Sequence, residues 1–400
     1  IRDSCGIATW PELMARVGYR SAAIGKMHFY PWDASMGFDD RVICEDKRWL
    51  HIQDDYADYL AERGLQKLHG NEHDGYLENR GAMVHRHAFE DSWDYFVGDA
   101  AAEYIRTYSD ERPFAMMVGF PGPHCPYDPS PEYADCYRPE DMPDSIPEVE
   151  GVHPALRQQN IAGNKRPWNG VDYSEFTEVH KKKIRAHYAA LVKQIDDITG
   201  RILQALCDSG QLDNTVILFS SDHGDYLGDH GLIGKGQFFE ASCHVPLIAR
   251  LPGGPQDRSN SDLVALADVT PTMLLIAGAD LPDYMDFMPL PELGLSRAGR
   301  DYLYGMMGGG WMCFDGRWKL CKYSTGENML FDLLEDPAEE RNMLNDDAFG
   351  DTYLRLDRAL TEEVMRSTMA SHHDKIVYDT DLSGDVNFGL SGWQRPYPNP

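Results

Sequence analysis

Apolar positions along the chain alternate between short unbroken runs and stripes at three- and four-residue spacing. Residues 10–17 predict a helix: Pro11 suits a first helical turn, and Gly18 stops the segment. Residues 19–25 follow as a short apolar strand. The couplet recurs as a helix at 99–108 and, past Pro113, a strand at 114–119. The clearest helix spans 181–208, where Tyr188, Leu191, Ile195, Ile198, Ile202 and Leu206 form one apolar stripe. Ser209-Gly210 ends it. A strand at 215–220 opens with β-branched residues, and another is predicted at 245–251. Strands apolar on both faces, alternating with amphipathic helices, predict an α/β fold with a mostly parallel sheet sandwiched by helices.

Thr270 is read as the N-cap and Pro271 as the first residue of a helix running to Ala277 and closed by Gly278. Residues 280–300, rich in Pro and Gly, read as a connector. Beyond them the texture changes. Short segments at 302–307, 311–314, 317–323 and 329–333 are separated by Gly or Asp-Gly, and Asp315-Gly316 is a strong hairpin signal. A helix at 352–366 completes a small C-terminal antiparallel α+β subdomain. The expected division is a main α/β domain at 1–295, the subdomain at 296–370, and an extended polar tail at 371–400. Such a tail would wrap a neighbouring subunit, so a homo-oligomer is expected. Residues 121–154 and 164–172 read as long loops beside the sheet, where a pocket is often built.

Composition narrows the partners. With 42% hydrophobic and 26% charged residues over 400 positions, the chain reads as an ordinary globular protein with a sizeable core. No apolar run has the length of a bilayer span. Asp and Glu number 65 against 37 Lys and Arg, a net charge of −28. That field repels phosphate backbones and anionic membranes, so neither nucleic acid nor a membrane is expected as partner. A small anion is not excluded, because a metal and a few cations reverse the field locally. The eight cysteines are scattered without a C-x-x-C pair and read as reduced. The first residue is Ile1 and no signal segment precedes Arg2. The compartment stays open between cytoplasm and periplasm or exterior.

Ser221-Asp222-His223-Gly224 directly follows the 215–220 strand. Ligands bind beyond the carboxyl ends of strands in such sheets. An Asp oxygen and a His nitrogen there can reach one ion. The wider string SDHGDYLGDHGLIGKGQFFEASCHVPLIARLPG resembles the C-terminal signature of type I sulfatases, of the alkaline phosphatase superfamily. Gly25-Lys26-Met27-His28 resembles that family's G-K-x-H element, and Pro123-His124-Cys125-Pro126 its P-H-x-P element. Asp268-Val269-Thr270-Pro271-Thr272 with Ala277-Gly278 resembles its D-x-x-P-T…A-G helix. Asp336-Pro337 with Glu339 and Asn342 resembles its C-terminal D-P-x-E…N. Five elements in one order span most of the chain.

The resemblance implies an alkaline phosphatase-like fold and a catalytic role for 1–295: hydrolysis of a small sulfated substrate. Lys26 and Lys235 would be cations on the sulfate oxygens, His28 would orient the nucleophile, and His124 would contact the leaving oxygen. Asp222 and His223 would ligate one divalent ion, Ca2+ first, with Mn2+ or Mg2+ as alternatives. The family's nucleophile is a formylglycine made from C/S-x-P-x-R. Cys5-Gly6-Ile7-Ala8-Thr9 lacks both the Pro and the Arg, and no other match occurs in the sequence. The family's first strand, with two Asp ligands, is also unseen. The expectation is that both lie upstream of Ile1. Two alternatives stand beside this reading: a phosphonate monoester or phosphodiester hydrolase of the same superfamily, which also carries Asp-His at this position, and a non-catalytic binding protein on the same scaffold. His69, His73, His85 and His87 read as a solvated loop rather than a zinc site. The aromatics of Trp93-Asp94-Tyr95-Phe96 read as core or pocket wall.

Overall fold

A computed structural model describes residues 8–148, 154–254, 257–282, 284–295, 299–307 and 309–375. Helix α1 (Trp10–Arg16) begins at a cap in which Glu12 accepts the Thr9 amide at 2.6 Å. Strand β1 (Arg20–Gly25) follows, then β2 (Asp40–Ile43) and α2 (Asp55–Glu62). Helix α3 (Trp93–Thr107) starts before the expected residue 99, because Ser92 caps it by accepting the Tyr95 amide at 3.2 Å. Its Trp93 and Phe96 pack with Ile24, Cys44, Tyr56 and Leu60, so these aromatics are core.

Strand β3 (Phe114–Gly119) closes a three-stranded parallel sheet of order β2-β1-β3. Gly25 is level with Ile43 on one side and Gly119 on the other, so the three carboxyl ends lie flush. The loops after them therefore open onto one edge. A Cβ at Gly25 would lie 2.1 Å from the Gly119 carbonyl oxygen; only glycine fits where these chains meet.

Helix α4 (Pro154–Asn164) lies between the two stretches expected to be loop. The long α5 (Glu178–Asp208) buries Leu191, Ile195, Ile198 and Leu206 of the anticipated stripe and half-buries Tyr188 and Ile202. It crosses α3 closely: a Cβ at Gly98 would lie 1.9 Å from Ile198 Cγ2. Strands β4 (Ile217–Ser220) and β5 (Leu247–Arg250) flank the short α6 (Glu240–Cys243). They pair antiparallel, where apolar texture had placed both in a mostly parallel sheet. Among the described residues no pairing joins this ribbon to the three-stranded sheet.

Helix α7 (Val269–Ile276) starts two residues earlier than expected. Asp268, not Thr270, holds the cap position. Its buried carboxylate takes both terminal nitrogens of Arg300, at 2.7 and 2.8 Å, and so ties the connector to the helix. Strands β6 (Leu303–Met307), β7 (Gly310–Phe314), β8 (Trp318–Tyr323) and β9 (Asn328–Asp332) form an antiparallel meander, with Asp315-Gly316 turning β7 into β8. One face packs Cys313, Leu320 and Leu330 on Leu356 and Leu360 of α8 (Gly350–Lys375). The other packs Cys321, Met329 and Phe331 on Tyr226, Phe238 and Phe239 of the segment between β4 and α6. Helix α8 runs through residues 371–375, expected to be tail. Residues 376–400 and Cys5 to Ile7 lie outside the described residues.

Candidate active site

Four strand ends supply the site. Lys26 and His28 follow β1, residues Glu45 to Arg48 follow β2, His124 follows β3, and Asp222 and His223 follow β4. Lys235 comes from the loop between β4 and α6.

The β4 loop is shaped by Asp225. Its buried carboxylate accepts the Tyr127 hydroxyl at 2.9 Å and the amides of Leu227 and Gly234 at 3.0 and 2.9 Å. That folds the loop back and returns Lys235 to the strand end. Lys235 Nζ donates to His124 Nε2 at 3.3 Å and also contacts His223 Nε2. The His124 and His223 rings meet edge to face at 5.8 Å. His124 Nδ1 lies 2.9 Å from the Cys125 carbonyl, and His223 Nδ1 lies 2.7 Å from the Gly224 carbonyl. A carbonyl only accepts, so both rings carry their proton on Nδ1 and turn an Nε2 lone pair toward Lys235.

Lys26 Nζ lies 3.2 Å from Asp46 Oδ2, and His28 Nε2 lies 3.6 Å from the same oxygen. Arg48 grips Asp46 with two parallel bonds, Nε at 2.6 Å and Nη2 at 2.7 Å. Burial raises the Asp46 carboxyl pKa, but Arg48 and Lys26 outweigh it and hold the group well below the usual carboxylate range. The two halves share one field. Burial, then Lys26 and Arg48, push His124 well below the ordinary histidine value. Burial and Lys26 lower Lys235. Burial lowers His223 as well. All six residues singled out from sequence thus border one cluster of charge.

Glu45, Asp46 and Arg48 were not anticipated. The rule that flagged Asp222 would have found them, since Cys44-Glu45-Asp46-Lys47-Arg48 directly follows β2. That strand is only four residues long, DRVI, with charged residues first, and lacks the apolar run that marks the others.

Asp222 Oδ2 and His223 Nε2 lie 3.6 Å apart, so one ion can touch both. The Asp222 side chain is 75% exposed and open to a ligand. Among the described residues no group of three or more His, Cys, Asp or Glu could hold a metal. The pair fits a divalent ion as two donors of the four or more such an ion takes.

Of the histidines in the 69–87 segment expected to be solvated, only His69 keeps partial exposure. His73, His85 and His87 are buried, with successive ring centroids 4.7 and 4.8 Å apart.

Comparison with known proteins gives a consistent picture. The family model described as "Sulfatase" matches residues 6–279. An arylsulfatase of Clostridium perfringens (strain 13 / Type A) is 28% identical over 381 residues, 88% of this chain and 76% of its own length. A choline-sulfatase of Rhizobium meliloti (strain 1021) is 29% identical over 368 residues, covering 84% and 67%. Among solved structures, the phosphonate monoester hydrolase SpPMH from Silicibacter pomeroyi superposes with a TM-score of 0.74 over 90% of this chain and 80% of that one, at 22% identity. That last likeness bears on fold alone.

Proposed function

The chain belongs to the sulfatase family, and from that membership we propose that it hydrolyses a sulfate ester to an alcohol and inorganic sulfate. The observation that carries the reading is the convergence of Lys26, Arg48 and Lys235 on one cleft edge, in a chain whose net charge is −28. Negative charge spreads over the sulfate oxygens and grows on the leaving oxygen as the S–O bond breaks. Preorganised cations in a partly dry site stabilise that change most. Lys26 and Lys235 take the sulfate oxygens in this reading. His124 sits beside Lys235 at the leaving oxygen; its bare Nε2 first takes a proton from Lys235 Nζ, 3.3 Å away, and then passes it to the alcohol. His28 faces the attacking group.

The attacking group is a formylglycine in this reading, and the C/S-x-P-x-R pattern that would yield it is not among these 400 residues. Asp222 and His223 would hold a divalent ion, Ca2+ foremost, with Mn2+ or Mg2+ as alternatives; such an ion would draw charge from a bound sulfate oxygen. Hydrolysis of a phosphonate monoester is the second reading, favoured by the Asp-His pair at the metal position.

The test uses the gene product translated from its natural start, supplied with Ca2+. It is assayed on 4-nitrophenyl sulfate and on 4-nitrophenyl phenylphosphonate. Sulfate release should dominate, and Lys26→Ala or Lys235→Ala should each lower kcat/KM by about 100-fold or more. Faster turnover of the phosphonate would favour the second reading. Sulfate binding without turnover of either ester would leave a binding protein.

A further inference from the structure

His28 is held by more than its place in the chain. Its backbone is left-handed, with φ at +53°, a conformation that a non-glycine residue keeps only when its surroundings enforce it. Glu45 does the enforcing. Glu45 Oε1 accepts the His28 amide at 3.1 Å, and Oε2 lies 3.4 Å from His28 Nδ1. Trp49 closes the other side of the ring, with centroids 4.8 Å apart.

The Glu45 side chain is 0% exposed. Among the described residues, His28 is the one cationic or imidazole group within ion-pair reach of it, and Arg41 acts on it only at longer range. The other carboxylate at the ring, Asp46, is already matched by Arg48 and Lys26. A sealed carboxylate without its own cation is costly to desolvate; the His28 amide bonds it, and Nδ1, 3.4 Å away, faces it within ion-pair reach without closing a hydrogen bond.

We propose that Glu45 is a positioning residue for the reaction of this site, fixing the backbone, ring orientation and tautomer of His28 so that Nδ1–H faces Glu45 and Nε2, 3.6 Å from Asp46 Oδ2, lies at the cleft edge. The claim rests on the sulfate-ester reading. The logic is that of a carboxylate that orients a catalytic imidazole from behind without touching substrate. Replacing it should leave substrate binding alone and slow the chemical step.

Two measurements separate this claim from the reading it rests on. Long-range 1H–15N spectra of 15N-histidine protein report the His28 tautomer directly. The unchanged protein should show a protonated Nδ1 and a bare Nε2, and Glu45→Gln should mix or invert them. In the assay, Glu45→Gln should lower kcat by about 100-fold or more with KM held within about twofold. Glu45→Asp should recover part of the loss. If Glu45→Gln does not fold, Glu45→Asp carries the same tautomer measurement. Identical His28 spectra in parent and variant, or an unchanged kcat in an active parent, would overturn the assignment. A parent that turns over no sulfate ester would instead sink the sulfatase reading, while the spectra still decide whether Glu45 holds His28.

Discussion

His73 and His85 face each other with ring centroids 4.7 Å apart, and both are almost sealed from water. Hydrogen bonding assigns their protons. His73 Nδ1 lies 3.1 Å from the His69 carbonyl and must donate, which leaves Nε2 as a lone pair. His85 Nδ1 accepts the His87 amide at 3.0 Å, so its proton sits on Nε2. Neither Nε2 finds a hydrogen-bond partner. An imidazole with a protonated Nε2 cannot ligate a metal through that atom, which argues against a zinc site. Burial lowers the pKa of His73; burial and the neighbouring His73 and His87 push His85 well below the ordinary value. A histidine whose folded pKa lies below its unfolded value protonates more readily when unfolded. Its stabilising contribution is therefore complete above about pH 6.5 and is lost as the pH falls from there toward the folded value. The free energy of unfolding in urea should drop between about pH 7 and 5. The combined change of His73→Phe and His85→Phe should flatten that slope, by up to about 1.4 kcal/mol per pH unit for each proton. An unchanged slope would reject the assignment. The sequence read these residues as solvated because Gly70, Gly75 and polar neighbours surround them. Their cover comes from afar: His85 donates its amide to the Pro129 carbonyl at 3.0 Å, and His87 Nε2 lies 2.9 Å from the Gln66 carbonyl. Burial of that kind leaves no local periodicity to read.

Among the elements, β8 does more than pair with its neighbours. It carries Lys319 into the interior, 1% exposed, between Glu240 at the start of α6 and Glu339 after β9, each 2.6 Å away. Glu339 Oε2 also accepts the Glu240 amide at 2.6 Å. The C-terminal sheet is thereby clamped to the segment that carries Lys235. Burial opposes ionisation of Glu240, but His244 and Lys319 outweigh it and bring its pKa down to about 2. Burial instead raises Glu339, so Lys319 is what keeps two neighbouring carboxyl groups tolerable. Lys319→Met leaves Glu339 without its cation and Glu240 with His244 alone. Breaking a buried ion pair on one side costs about 3–5 kcal/mol, whereas removing charge from both sides costs far less. Lys319→Met should therefore lower the unfolding free energy by about 3–5 kcal/mol, and adding Glu339→Gln should restore part of it. Urea denaturation decides; a single variant within about 1 kcal/mol of the parent would show that the clamp carries little.

For the whole molecule, the sequence revealed which segments are strands and helices better than which strands pair. The β4 and β5 texture matched a sheet buried on both faces, yet Phe219 is 41% and Ile248 61% exposed, and the two strands pair antiparallel. Apolar runs report the chance of burial, and the partner is set by the path of the connecting chain, which periodicity does not encode. The Asp315-Gly316 hairpin was legible because its turn chemistry is local. Lys26, His28, His124, Asp222, His223 and Lys235 were legible through five strings resembling one family, while Glu45, Asp46 and Arg48 were not, having no such string. Charge is the other property of the whole. A net −28 repels itself, and the carboxylates that cause it lie mostly on the surface. Around Lys26, Arg48 and Lys235 cationic charge is gathered locally, with Asp46 and Asp222 beside it. Salt screens both over about 8 Å at physiological ionic strength, with opposite consequences. Raising NaCl from about 10 to about 150 mM should raise Tm by relieving the surface repulsion, and over the same range it should weaken binding of sulfate to the three-cation cluster. Thermal melts and calorimetric titration with sodium sulfate measure the two effects on one sample. A Tm that falls with salt would mean that attractive pairs such as Arg20–Asp40, rather than the net charge, govern the surface.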